Sequence, residues 1–369
     1  MDHILGQSRA IEMLLVALKN ERLPHAYVFH GPTGVGKFTS AVAFARLLLC
    51  HDRQTDLMGN VMACDGCESC QLIPSVGATD ALEAAHPDLH VVTKELARYS
   101  DDANIRQRKL TTIPVKVLRS ALLEPVYRAA QLQHNKVFIV DEAELLNPTG
   151  QNLLLKTLEE PPPGTFLILI TSSEDRLLPT IRSRSHRVAF TELPDQVIAD
   201  WVAENSQENT NIQRWLVEFA AGSLGRASIA VTYGLHHWAR TVLSALDGMT
   251  NGEYPAELGI QMKELIDDYA ERWVKDHTNA SKDAANKQAA SLMWLLISQR
   301  ARTRIAELAP GTDDPSIADQ TLGPWLNVID ALTDAERDLF ANVNMGLVCD
   351  HVVSKIFRAL KPHSQHASR

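Results

Sequence analysis

The chain has 369 residues, enough for two or three domains, and its 45% hydrophobic content suits a globular protein with sizeable cores. No apolar run reaches about 18 residues, and the start Met-Asp-His-Ile-Leu-Gly-Gln lacks a basic, apolar leader, so the expectation is a cytoplasmic protein without a membrane span. Lysine and arginine total 36 against 45 aspartates and glutamates, a net charge of −9, which argues against a chain that grips nucleic acid by itself. Any such role is expected to be delegated to partners or confined to a local patch.

In chain order, Ala26–His30 is a short strand pattern, followed by the glycine-rich segment Gly31-Pro32-Thr33-Gly34-Val35-Gly36-Lys37-Phe38-Thr39 and a helix pattern over Thr39–Leu49. The segment meets the phosphate-loop pattern G-x-x-x-x-G-K-[ST] at Gly31, Gly36 and Lys37, but Phe38 stands where the hydroxyl belongs. In such a loop the glycines let successive N–H groups point at phosphates, and the following helix adds its positive end. Lys37 supplies a charge to the outer phosphates. The hydroxyl missing at 38 would hold Mg²⁺. Thr39 does not replace it, because one step along a helix turns a side chain by about 100°. The rival is a glycine-rich strand–helix turn without a ligand.

Four of the five cysteines cluster at Cys50, Cys64, Cys67 and Cys70. In a reducing compartment disulfides are not expected, and C-x2-C-x2-C with a further upstream cysteine points to a tetrahedral structural zinc site. Asp65 and Gly66 suit its tight turn. An iron–sulfur cluster and free thiols are the alternatives; the ferredoxin pattern's downstream cysteine before proline is absent. The module, about residues 50–85, interrupts the alternation of strands and helices.

Further strand candidates are Leu89–Val92, Lys136–Val140, Thr165–Ile170 and His186–Phe190, the pattern of a parallel α/β sheet over residues 1–190. Ala97–Lys109 is polar and reads as an exposed loop. Pro114 opens a helix pattern that Pro125 should end or kink. Asp141-Glu142 ends the apolar strand 136–140. In phosphate-loop ATPases the first such acid organises Mg²⁺ and the second can polarise water; the alternative is a helix N-cap by Asp141. Thr171, ending the next strand, is placed to sense an outer phosphate, or else it makes an ordinary turn. Ile181-Arg182-Ser183-Arg184-Ser185 offers an arginine that can reach a neighbouring subunit's nucleotide, or a solvated basic turn.

Leu193-Pro194-Asp195 marks a boundary. Residues 195–240 have helix patterns, Asn251–Pro255 is a second break, and the chain is then helical to Leu360, interrupted near Pro310–Pro315. The polar tail Lys361–Arg369 reads as disordered.

Together, Gly31–Thr39, the four-cysteine module, Val137–Glu142, Asn152-Leu153-Leu154-Leu155-Lys156-Thr157-Leu158-Glu159-Glu160-Pro161-Pro162 and Leu177–Arg184 resemble the bacterial DNA polymerase III clamp loader, an AAA+ assembly. The resemblance is firm over about residues 1–230, and the segment 152–162 is specific to the gamma/tau and delta-prime subunits. Gly-Lys-Phe in place of a complete Gly-Lys-Ser/Thr, Leu-Leu-Pro-Thr-Ile-Arg-Ser-Arg at 177–184, and an end near residue 369 favour the delta-prime type.

The resemblance implies an α/β AAA+ domain with a zinc-module insertion (1–192), a helical lid (193–245) and an all-α collar (246–369). It implies a five-subunit ring with gamma/tau-type and delta-type subunits that meets the sliding clamp and primed DNA indirectly. Arg184 is implied as a finger acting in trans, with Ser185 where the family usually has cysteine. In Gly222-Ser223-Leu224-Gly225-Arg226, Arg226 is implied as a nucleotide sensor. Asp141 and Glu142 keep ATP binding in play, while Phe38 argues against Mg²⁺ and for weak or absent hydrolysis. A gamma-type motor ATPase and a non-replicative zinc-containing AAA+ binding module are the alternatives; a polymerase label would describe the holoenzyme.

Overall fold

The computed structural model describes residues 1, 4–20, 22–56, 59–73, 86–106, 112–132, 135–277, 281–309, 315–340 and 343–361, with 315–319 and 340 described as backbone only. The chain divides into two compact units, Met1–Glu204 with Ala220–Ala227, and Asn205–Phe219 with Ser228–Arg369. Among the described residues no helix is long and apolar enough to cross a membrane.

The first unit is built on a five-stranded parallel sheet. Its strands are β1 (Ala26–His30), β4 (Leu89–Val92), β5 (Lys136–Val140), β6 (Thr165–Thr171) and β7 (His186–Ala189), while β2 (Gln54–Thr55) and β3 (Val61–Met62) form a separate antiparallel pair in the insertion. The spatial order β4-β5-β6-β1-β7 places β6 between the strand that leads into the glycine loop and the strand that ends in the acids. Every residue of β5 and β6 is buried, as parallel strands covered on both faces should be, which is why they stand out as continuous apolar runs. β6 runs one residue beyond the expected end because Thr171 still pairs with His30.

The helices of this unit are α1 (Ser8–Lys19), α2 (Lys37–Leu49), α3 (Glu68–Leu72), α4 (Ala103–Arg106), α5 (Val115–Leu118), α6 (Pro148–Glu159), α7 (Pro179–Arg184) and, but for its last residue, α8 (Asp195–Asn205). α2 begins two residues before the sequence pattern, at Lys37 itself. α5 continues as a π-turn over Arg119–Leu123, and Pro125 then opens a 3-10 turn, so the proline ends the helix as expected. The exposed loop expected over Ala97–Lys109 is corrected. Lys94–Tyr99 is a 3-10 helix with Ala97 buried in the core, and α4 follows. The segment's polarity hid this anchor and Ile105, which packs partly buried against the same core. Residues 107–109 lie outside the described residues.

α9 (Thr210–Ala220) belongs to the second unit except for Ala220, and only the first four residues of α10 (Leu224–Tyr233) belong to the first. The rest of the second unit is α11 (His236–Thr250), α12 (Leu258–Asp276), α13 (Lys282–Leu308), α14 (Pro315–Phe340) and α15 (Met345–Leu360). Its core follows helical spacing: Met262, Ile266 and Tyr269 on α12, Ala289, Met293 and Ile297 on α13, and Val348, Val352 and Ile356 on α15 are all buried. Both expected breaks fall between helices, after α11 and after α13. Residues 310–314, the tail beyond Lys361, and 74–85 of the cysteine module lie outside the described residues.

Candidate functional site

The glycine loop leaves the carboxyl end of β1, and the acids leave the carboxyl end of β5. β6 ends between them, His30 pairing with Thr171 and Val140 with Leu169. Ligands of open parallel sheets bind at such carboxyl ends. Gly31, Gly34 and Gly36 all have positive φ, at 141°, 77° and 97°. A Cβ at Gly31 would fall 2.0 Å from the Phe190 carbonyl oxygen, so no larger residue fits there. Gly36 caps α2 in the left-handed conformation, has no side chain to occupy the first amides, and has open space where a Cβ would stand. That is the geometry an anion at a helix N-terminus requires.

Lys37 is buried as the first residue of α2. Its Nζ donates to the Gly31 carbonyl at 2.6 Å and the Pro32 carbonyl at 2.5 Å. Burial lowers its pKa, opposed first by Glu144 and then by Asp141. Phe38 is half-buried, and Thr39 and Thr33 are exposed.

Asp141 keeps some exposed surface but is hemmed in by protein. That loss of water, reinforced by the neighbouring Glu142 charge, pushes its carboxyl up to about 6. Its Oδ1 accepts from the Glu142 N–H at 3.0 Å. It caps no helix; the N-cap of α6 is Asn147, which accepts from Gly150. Glu142 sits in the left-handed region at φ 49°, and its Oε2 lies 2.6 Å from Lys94 Nζ. Thr171 is buried beside the loop, and its Oγ1 accepts from the Ser173 N–H at 3.0 Å, so the turn chemistry weighed from sequence is present at that position.

A third acid went unread in the sequence. Glu144 is buried, and its Oε1 accepts from the Ser172 hydroxyl at 2.5 Å and the Ser172 N–H at 3.1 Å. Burial alone would raise its pKa, but these hydrogen bonds hold it below the ordinary value. The available signal was the second acid spacing in Asp141-Glu142-Ala143-Glu144, which resembles an exposed 3-10 turn until its partner is known.

The segment around Arg226 closes on the glycine loop within the same unit. Ser223 Oγ donates to the Thr33 carbonyl at 2.9 Å, and the Gly225 N–H donates to the Gly34 carbonyl at 2.8 Å. A Cβ at Gly225 would meet Gly34 Cα at 2.9 Å, so the two backbones approach as only glycines allow. Arg226 Nη2 donates to the Ala221 carbonyl at 3.2 Å; burial lowers its pKa and Glu192 opposes this.

Arg184 lies elsewhere, at the exposed end of α7. Its Nη2 is 2.8 Å from Glu159 Oε1, and its Nη1 donates to the Thr180 carbonyl at 3.2 Å. Arg182, one turn-face away, is half-buried and 3.5 Å from Asp175. Of the two arginines, only Arg184 is an exposed side chain.

The four cysteines come together at the far end of α2, where Cys50 follows the last helical residue. The Sγ atoms of Cys50, Cys64, Cys67 and Cys70 all lie within 4.8 Å of one another, with Cys50 and Cys64 at 3.6 Å. Four sulfurs about 2.3 Å from a central ion are about 3.8 Å apart, so the donor set fits a tetrahedral metal. The Cys64 N–H points to Cys50 Sγ at 3.4 Å and the Cys67 N–H to Cys64 Sγ at 3.3 Å, donors that suit thiolates. Burial pushes the Cys50 and Cys70 thiols up, so a cation is what would keep all four deprotonated together. Asp65 makes the turn at φ 57°, and Arg46 of α2 ties the module down through Asp65 at 3.1 Å and the Cys70 carbonyl at 3.2 Å. Cys349 lies on α15 of the second unit.

Residues 6–194 match the family model described as DNA polymerase III, delta subunit. The chain is 31% identical over 198 residues to DNA polymerase III subunit delta' of Bacillus subtilis (strain 168), covering 54% of this chain and 51% of that protein. It is 34% identical over 200 residues to DNA polymerase III subunit gamma/tau of Mycobacterium bovis, covering 53% and 29%. It is 29% identical over 232 residues to DNA polymerase III subunit delta' of Escherichia coli (strain K12), covering 63% and 61%. The chain thus spans about half the length of the Bacillus relative and under a third of the Mycobacterium one.

Proposed function

The chain belongs to the DNA polymerase III delta-subunit family, and from that premise we propose that it is a delta-prime-type subunit of a clamp loader. In this role it sits in a five-subunit ring with gamma/tau-type and delta-type subunits, in the cytoplasm. It helps place the sliding clamp on primed DNA, which it meets through its partners. Residues 1–192, 193–245 and 246–369 act as nucleotide-type domain, lid and collar. The Cys50, Cys64, Cys67 and Cys70 site holds a structural zinc ion; with four thiolates filling the shell, no position remains for chemistry at the metal.

The observation that carries the proposal is Phe38 at the head of α2, where a catalytic site needs a hydroxyl for Mg²⁺. The glycine loop, Lys37, Thr171 and Arg226 form a scaffold able to hold ATP, but Asp141 lacks its usual companion for the metal. Hydrolysis by the chain itself is therefore weak or absent. Its contribution is Arg184, whose permanent charge and planar fork complete the ATP site of an adjacent gamma-type subunit. Arginine fingers in trans are worth about 10³–10⁵ in rate.

The experiment is Arg184→Ala in a reconstituted loader, beside Lys37→Ala in the same chain. Arg184→Ala is expected to lower DNA-stimulated ATP turnover about 10³-fold, and Lys37→Ala to change it less than about twofold. Unchanged turnover with Arg184→Ala would remove the finger. The intact Lys37, Asp141 and Glu142, and the gamma/tau relative, favour a second reading in which the chain is a motor ATPase. Phosphate release by the isolated chain at a motor subunit's rate would establish that reading instead.

A further inference from the structure

We infer that Glu159 is the positioning residue that orients Arg184 for this role, an inference that rests on the finger assignment above. Helix α6 holds α7 at both ends. At the start, the buried Gln151 side chain accepts from the Leu178 N–H at 2.7 Å and donates to the Arg176 carbonyl at 3.1 Å. At the finish, Glu159 Oε1 takes Arg184 Nη2 at 2.8 Å. Between them Ile181 is fully buried and anchors α7 on the core. A six-residue helix fixed at three points has little freedom to swing.

The acid is placed where helix stability alone would not put it. Glu159 is the last residue of α6, and Glu160 follows before Pro161-Pro162. Carboxylates at a helix C-terminus face the negative end of the dipole. Arg184 supplies the compensating charge for Glu159.

The pair also divides the guanidinium usefully. Arginine has five N–H donors in one plane. One Nη2 hydrogen goes to Glu159 and one Nη1 hydrogen to Thr180, both within the chain's own surface. Nε–H and the remaining Nη hydrogens are left to meet phosphate oxygens. The ion pair is half-exposed on both sides, so it can fix orientation without locking the side chain in place.

The test is steady-state ATP turnover, stimulated by primed DNA, in the reconstituted loader. Glu159→Ala is expected to lower kcat about tenfold with KM for ATP unchanged, because a misplaced group costs rate rather than substrate affinity. Glu159→Gln, which keeps an acceptor oxygen, should recover part of the loss. In an Arg184→Ala background, Glu159→Ala should do nothing more, and the melting temperature of the free chain should barely move. Wild-type or raised turnover with Glu159→Ala, while Arg184→Ala is impaired, overturns the inference and leaves the finger standing. No effect of Arg184→Ala overturns both.

Discussion

Lys37 and Arg184 are two cations of the first unit to which the proposed function gives phosphate chemistry, and the protein treats them in opposite ways. Lys37 is buried, two of its three Nζ hydrogens go to carbonyls of its own loop, and Glu144 and Asp141 raise its pKa against burial. The loop's outer carbonyls, Thr33 and Gly34, are taken by Ser223 and Gly225. Arg184 is exposed, held along one edge by Glu159 and Thr180, with donors to spare. Lys37 keeps one N–H inside its own loop, whereas Arg184 keeps three at the surface. In the proposed function the availability of a charge, more than its presence in a motif, separates a retained scaffold from a working group.

The largest expected effect sharpens this contrast from the far end of α2. Stripping the proposed zinc from the four cysteines should remove apparent binding free energy on the order of 10 kcal/mol, as structural zinc supplies in small domains. Because Cys50 follows the last residue of α2 and Arg46 is tied to Asp65 and Cys70, amide exchange should accelerate over the insertion and the last turn of α2. α7 and Arg184 should be unaffected. Metal analysis of the purified chain finding no zinc, or exchange unchanged by chelation, would break the connection and return the cysteines to free thiols.

The next effect concerns Asp141. Its carboxyl is pushed up to about 6 from an ordinary 3.8, first by burial and then by Glu142. Between those values the folded chain binds more protons than the unfolded one, so this group's contribution to stability falls as pH rises from about 4 to about 6. Above that window the full cost is present, on the order of 2–3 kcal/mol. Asp141→Asn should therefore stabilise the unit at pH 7 and flatten that part of the pH profile. Urea melts at pH 4.5 and pH 7 test both; a destabilised variant at pH 7 would mean that Lys37 needs the negative charge more than burial resists it.

Much of the first unit was legible because its signals are local. Strands buried on both faces announce themselves as apolar runs, and the glycine loop and the cysteine spacing each sit within one short stretch. The missing parts are pairings between distant residues. Glu144 looks like surface until Ser172, 28 residues on, donates to it twice. Glu159 looks like a solvated helix end until Arg184 reaches it. Ala97 and Ile105 were lost inside a polar segment because scattered apolar residues there show no periodicity. Positive φ at Glu142 leaves no trace in a sequence where glycine is the usual marker.

The smallest expected effect asks how firmly the loop of Lys37 is held. Ser223 Oγ donates to the Thr33 carbonyl and accepts from the Arg226 N–H at 3.2 Å, two residues 190 positions apart in the first case. Ser223→Ala removes both bonds at once and should cost about 1 kcal/mol in urea melts, with the m-value unchanged. The same hydroxyl lies 2.4 Å from where a Cβ at Gly34 would stand, and Gly34 has φ 77°. Gly34→Ala should thus cost more than Ser223→Ala, partly from the collision and partly from the backbone. In the double variant the collision with the hydroxyl disappears, while the 3.3 Å approach to Gly225 Cα and the strain of the left-handed backbone stay, the strain at about 1–2 kcal/mol. The two changes should therefore couple by at least about 0.5 kcal/mol, the double variant being more stable than the sum of the singles. Simple additivity would mean that Ser223 and Gly34 are not in contact in solution, and that Ser223 does not hold the loop around Lys37.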